Sequence, residues 1–252
     1  DGDCTLRSIG AGLVLQIALE EPKPSPEKLL KQFNQISDQL AKEASDFSER
    51  INFLQQAIEE RRKQAQDSES LIKQYPERYR MKNGYLNSEG QILKATLDEE
   101  KDVAFILEHH IAELQNPQNQ KKIQEQIKEL KSALDAFTDL LRNSVKNTTK
   151  FEDVQKKLIE LMEQDEFDRA LITFLRKASA LNIVLNMQKM GLYTKQLSNQ
   201  EQVILGNLSI FDLIMQRADA RQPHQEYLQG SINDALSLSL LLQQPISWYR
   251  CE

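Results

Sequence analysis

The chain has 252 residues, 40% hydrophobic and 28% charged, with a net charge of −6, which predicts a water-soluble globular fold with no overall field to draw nucleic acid or an anionic membrane. Eight glycines and seven prolines are too few for a turn-rich β protein and favour long helices. Two cysteines, Cys4 and Cys251, make no disulfide framework and fit a reducing, cytoplasmic setting.

In chain order, Asp1-Gly2-Asp3-Cys4 comes directly before an apolar, helix-forming run that ends near Glu21. No run in the chain approaches the roughly 18 apolar residues that span a bilayer, so no membrane span is expected. Ile9–Ala18 is too short, and lacks the basic flank, to read as a signal peptide. Opening on Asp rather than Met, the chain is expected to be a piece of something longer. Three prolines in Glu21–Leu30 stop the first helix. Ser25 as N-cap and Pro26 as first helical residue start the next. Its apolar positions, Leu29, Phe33, Ile36, Leu40, Ala44, Phe47, Ile51, Leu54 and Ile58, step by 3 and 4 and form one narrow stripe. A helix is expected over about Leu97–Leu114, with Thr96 and Glu99 as its capping box. A further stripe runs from Ile123 to Leu141. From Asn147 the helices become more apolar: Phe151–Met162 capped by Thr149 and Glu152, Asp165–Met190, a helix after Ser198, and a last one capped by Ser231 that runs to Leu242. Ile246–Cys251 is β-rich and predicts a short buried strand. The expected organisation is a core of residues 1–21 and 147–252, interrupted by a helical insertion of residues 22–146.

Cys4 heads a helix, where backbone N–H groups and the helix dipole favour the thiolate. Gly2 allows a sharp turn that lets amides of residues 2–4 converge as an oxyanion hole, and Asp1 could orient the turn or a histidine. The same four residues also suit an ordinary helix start, with Asp3 as N-cap and Cys4 as a buried structural cysteine. His109 and His110 are adjacent on a helix and point about 100° apart, so packing explains them better than a shared metal, and no metal site is expected. His224 follows a proline and reads as a loop residue. Cys251 reads as a small buried hydrophobe. Tyr75–Leu86 mixes Tyr and Arg, a composition of protein interfaces as well as of plain surface loops. Asn83–Gly90 lacks the Lys-Ser/Thr pair of a phosphate loop.

The string Asp1-Gly2-Asp3-Cys4-Thr5-Leu6-Arg7-Ser8-Ile9 resembles the catalytic-cysteine motif of OTU-family cysteine proteases. Gln225–Tyr249 is similar to that family's run of an aromatic, a glycine, an apolar helix and a strand leading to the catalytic histidine. The long helical segment between the two blocks resembles the OTU effectors of Legionella, which carry a helical lobe there. The resemblance covers about 35 residues at the two ends of the chain. It implies an α+β, predominantly α fold with a small β-sheet and a deubiquitinase activity. Cys4 would be the nucleophile, Asp1 its catalytic partner, and Gly2 and Asp3 would belong to the oxyanion turn. Ubiquitin or polyubiquitin would be the partner, no cofactor would be needed, and the place of action would be the host cytoplasm after secretion. The family's histidine follows the strand matched by Ile246–Tyr249. None of the three histidines stands at that position, so the general base is expected beyond Glu252. The competing expectation is a non-catalytic helical interaction module.

Overall fold

Prolines and short polar side chains set where the helices of this chain begin. The computed structural model describes residues 4–20, 26–146, 148, 150–187, 210–218, 232–244 and 246. They form helices α1 (Cys4–Ala18), α2 (Pro26–Glu43), α3 (Phe47–Gln74), α4 (Pro76–Tyr79), α5 (Ser88–Gln115), α6 (Pro117–Val145), α7 (Phe151–Met162), α8 (Asp165–Asn186), α9 (Ile210–Ala218) and α10 (Ile232–Leu242). The described residues are thus predominantly α, and their one β feature is an isolated antiparallel bridge between Arg80 and Leu86. No strand is found among them. The strand expected at Ile246–Cys251 lies outside the described residues apart from Ile246, and Ser25, Thr149, Ser198 and Ser231 also lie outside. Among the described residues no helix is long and apolar enough to cross a membrane.

α2, α4 and α6 each begin on a proline, whose missing N–H costs nothing in a first helical turn. α3 and α5 begin instead after Asx caps: the Asp46 carboxylate accepts from the Glu49 N–H at 3.1 Å, and the Asn87 side chain accepts from the Gly90 N–H at 2.9 Å. Both caps differ from expectation. The stripe from Leu29 to Ile58 is two helices, because the chain turns at Ala44–Asp46. The helix expected from Leu97 starts nine residues earlier, at Ser88. Thr96 is interior to it and donates back to the Ile92 carbonyl at 3.1 Å, a local bond that serves a helix interior as readily as a cap. Likewise Lys150, not Thr149, is the N-cap of α7, and it makes no side-chain capping bond.

The chain divides into two compact units: residues 46–119, and the remainder, which holds both ends. The first is a two-helix hairpin. α3 buries Ile58, Ala65 and Ile72, and α5 buries Leu97, Ala104 and Leu107. Ion pairs also link the two helices, with Arg61 bonded to both oxygens of Glu100 at 3.0 and 3.1 Å and Arg62 to Glu108 at 2.5 Å. The second unit is built on three phenylalanines of three helices. Phe33 of α2 stacks on Phe174 of α8 at 4.5 Å and lies 5.3 Å from Phe137 of α6, and all three rings are fully buried. Phe137 also meets Phe167 at 5.0 Å. α2 and α6 from residue 120 therefore belong with the unit that holds the termini, whereas the insertion expected from the sequence ran over 22–146. The aromatic core explains this: the stripe on α2 packs on α8 through Phe33 and Phe174.

Candidate functional site

α1 carries the expected nucleophile. It is seated by small residues and a long-range ion pair. A Cβ on Gly10 would come within 2.8 Å of the Leu171 side chain and 3.3 Å of Leu175, so glycine lets α1 approach α8 closely. Leu6, Leu13, Val14 and Ile17 bury the same side of the helix. Near its start, Arg7 Nε donates to Asp168 of α8 at 2.8 Å. Cys4 is the first helical residue, and its side chain is exposed. Ser8 donates its hydroxyl to the Cys4 carbonyl at 2.8 Å, a bond along the helix that leaves the thiol itself uncommitted to packing. The thiol is therefore open to solvent, in contrast to the buried structural cysteine that was the simpler reading of this helix start.

Asp1, Gly2 and Asp3, expected to supply the oxyanion turn and an orienting carboxylate, lie outside the described residues, as do His224 and Cys251. His109 and His110 belong to the 46–119 hairpin, not to the unit that contains Cys4. His109 is exposed with its ring edge-on to Phe105 at 4.5 Å, and His110 is buried. Neighbours on one helix, they differ in environment as their 100° separation requires. Among the described residues no group of three metal-ligating side chains comes together.

A second polar constellation is buried beneath α1's neighbours, and the sequence reading missed it. Ser179 donates to Asp234 at 2.8 Å. Asn182 donates to the Ser237 hydroxyl at 3.0 Å and to its carbonyl at 3.2 Å. Asn186 donates to Glu43 at 2.6 Å and to the Asn182 side-chain oxygen at 2.9 Å. All six residues are buried. The signal was present as Ser179, Asn182 and Asn186 spaced by 3 and 4 in an otherwise apolar helix, a polar stripe on one face. Lys177, also buried, donates to Gln126, Glu129 and the Ala218 carbonyl at 2.7, 2.6 and 3.2 Å. Its charge is neutralised and its three protons are used, so the cluster ties α6, α8 and the end of α9 together. A groove of about 840 Å³ beside it is lined by Glu129, Asp139 and Glu166 as well as Arg169, Arg176 and Lys177. That balance of signs selects no charged ligand, and Cys4 is not part of the groove.

No protein-family model matches this chain, and no curated protein or solved structure matches it either.

Proposed function

We propose that this chain is the catalytic part of a cysteine-type deubiquitinase of the OTU kind, with Cys4 as nucleophile. The observation that supports this reading is the solvent-exposed thiol at the first residue of α1, a helix anchored on its other side by Gly10, Leu13 and Val14. An accessible sulfur at a helix N-terminus is what nucleophilic attack requires. In the proposed reaction a histidine takes the Cys4 thiol proton, and the sulfur attacks the carbonyl carbon of the isopeptide bond at the ubiquitin C-terminus. The oxyanion is stabilised by amides of the Asp1–Cys4 turn, with Gly2 and Asp3 forming its bend. The C–N bond breaks as that histidine protonates the leaving lysine amine, which leaves an acyl-thioester. Water then adds to the thioester, and the thiol and the ubiquitin carboxylate separate. Asp1 orients the histidine, which follows the strand matched by Ile246–Tyr249. No cofactor enters this chemistry. The small β-sheet, action on polyubiquitin and a place in the host cytoplasm after secretion belong to the same proposal.

A ubiquitin probe with an electrophilic C-terminus tests it, applied to protein that extends past Glu252. Covalent attachment that disappears in Cys4→Ala is the expected result, while labelling that persists in Cys4→Ala rejects Cys4 as nucleophile.

The exposed apolar side chains of the 46–119 hairpin favour a second reading, a non-catalytic interaction module. Alkylation of the two cysteines at mildly acidic pH separates the two. A nucleophilic Cys4 reacts well ahead of an ordinary thiol, whereas slow labelling at equal rates favours the module.

A further inference from the structure

The turn that closes the α3–α5 hairpin gathers side chains that a surface loop has no reason to gather. Five of the eleven large apolar side chains exposed among the described residues are Leu71, Tyr75, Met81, Tyr85 and Ile92, with Tyr85 72% exposed and Ile92 68%. Leu71 lies in the last turn of α3, and Tyr75 is the residue that caps that helix. Residues 75–87 also reverse the sign of the chain. They carry one acid, Glu77, against Arg78, Arg80 and Lys82, within a protein of net charge −6. Arg78 is paired with Glu89 at 3.2 Å. Arg80 donates to the Gly84 carbonyl at 2.8 Å and makes no ion pair among the described residues, nor does Lys82.

The turn is built to hold its shape. Met81 N–H donates to the Tyr85 carbonyl at 2.7 Å, Gly84 N–H to the Met81 carbonyl at 2.8 Å and Asn87 N–H to the Tyr79 carbonyl at 2.9 Å. Tyr85 N–H donates to the Asn83 side chain at 3.2 Å, and the Asn87 side chain donates to the Arg78 carbonyl at 2.6 Å. Gly84 sits at φ +85°, and a Cβ on Gly90 would lie 2.3 Å from the Tyr79 carbonyl. Both glycines are therefore needed for the turn as it stands. The backbone that carries these apolar and basic side chains is thus already ordered before contact.

We infer that this hairpin turn docks on an anionic lipid surface. Met81 and Tyr85 enter the headgroup layer, and Arg80 and Lys82 meet lipid phosphates and carboxylates. Tyr is at home where one end is apolar and the other wet. Each basic side chain close to an acidic leaflet adds to the attraction, and the acids elsewhere in the chain are screened beyond roughly 8 Å at physiological salt. The inference does not rest on the reading of Cys4.

Co-sedimentation of the whole chain with vesicles of phosphatidylcholine containing about 30% phosphatidylserine tests it. Binding is expected with these vesicles, is expected to be absent with phosphatidylcholine alone, and should weaken as salt rises. Arg80→Glu with Lys82→Glu should lower the partition coefficient at least about tenfold by charge reversal. Tyr85→Ser with Met81→Ser should lower it severalfold at unchanged charge. Both pairs are exposed, and an unaltered circular-dichroism spectrum shows that the variants fold. Failure of the wild-type chain to bind at low salt overturns the inference, as does binding that neither variant pair weakens. Capture by immobilised poly-glutamate with the same sensitivity to Arg80→Glu and Lys82→Glu, but no vesicle binding, overturns it in favour of an acidic protein face.

Discussion

Cys4 shows how one residue's role depends on where its helix is held. Had α1 turned by half a revolution, the thiol would be packed among Leu6, Ile9 and Leu13, all of which are buried. Gly10 and the Arg7–Asp168 pair hold the other orientation. Other residues make testable points of the same kind. The Glu69 carboxyl is held below its ordinary value of 4.5, first by a hydrogen bond from Lys73 and then by that lysine's charge, with Lys101 and Lys94 adding to it. A carboxyl lowered on folding stabilises the folded state above its unfolded pKa, and this contribution disappears as pH falls through the folded value. Lys73→Met should therefore raise the Glu69 titration midpoint towards 4.5, read by NMR on the Glu69 side chain. Both groups are exposed, so melting near neutral pH should scarcely change. Asn182 is the contrasting case. Its amide serves Ser237 while its oxygen serves Asn186, all in the buried interior. Asn182→Ala removes these buried bonds, although Asn186 keeps Glu43 and the Ser237 hydroxyl keeps the Ser179 carbonyl, and should cost about 1–3 kcal/mol in chemical denaturation.

Among the elements, the α3–α5 hairpin depends on close backbone approach at its turn. Gly90 lies in the first turn of α5, beneath the Tyr79 carbonyl. The atom nearest to a Cβ there is the Tyr79 backbone oxygen at 2.3 Å, which cannot swing aside as the Leu86 side chain at 3.0 Å can. Gly90→Ala should destabilise the hairpin by about 1–3 kcal/mol, measured as a lower denaturation midpoint, even though alanine is the better helix former. The end of α10 is defined just as locally. Gln243 at φ +53° and the Gln244 N–H bonded to the Ser239 carbonyl at 3.2 Å close it in a Schellman turn. The break expected from Gln243, Gln244 and Pro245 was legible because local bonding decides it. The starts of α3 and α5 were less legible. Asp46 and Asn87 are ordinary polar residues in polar surroundings, and each becomes a cap only because the following turn presents an N–H to it.

For the whole molecule, the division at residues 45/46 and 119/120 makes a prediction about cooperativity. Leu107 is 2% exposed within the hairpin. Leu107→Ala should cost about 2–5 kcal/mol there. In native-state hydrogen exchange, amides of α3 and α5 should lose more protection than those of α8, which sits in the other unit. Equal loss in α3, α5 and α8 would show that the two units unfold as one.

Helix content and the periodic stripes were legible from sequence because they follow from the spacing of apolar residues along a single segment. So were the proline start at Pro26 and the candidacy of Cys4 at a helix start, whereas Asn116–Gln120, whose composition suggests a turn, is helical from Pro117 onward. The tertiary structure alone decided which segment covers which stripe. Phe33 reads the same in sequence whether it faces the hairpin or α8, and its contact with Phe174 settles that α2 belongs to the unit with the termini. The same holds for the buried bonds of Asn182 and Asn186 and for the exposure of the Cys4 thiol. Spacing gives the angle of a side chain around its own helix, but burial is a relation between helices far apart in the chain.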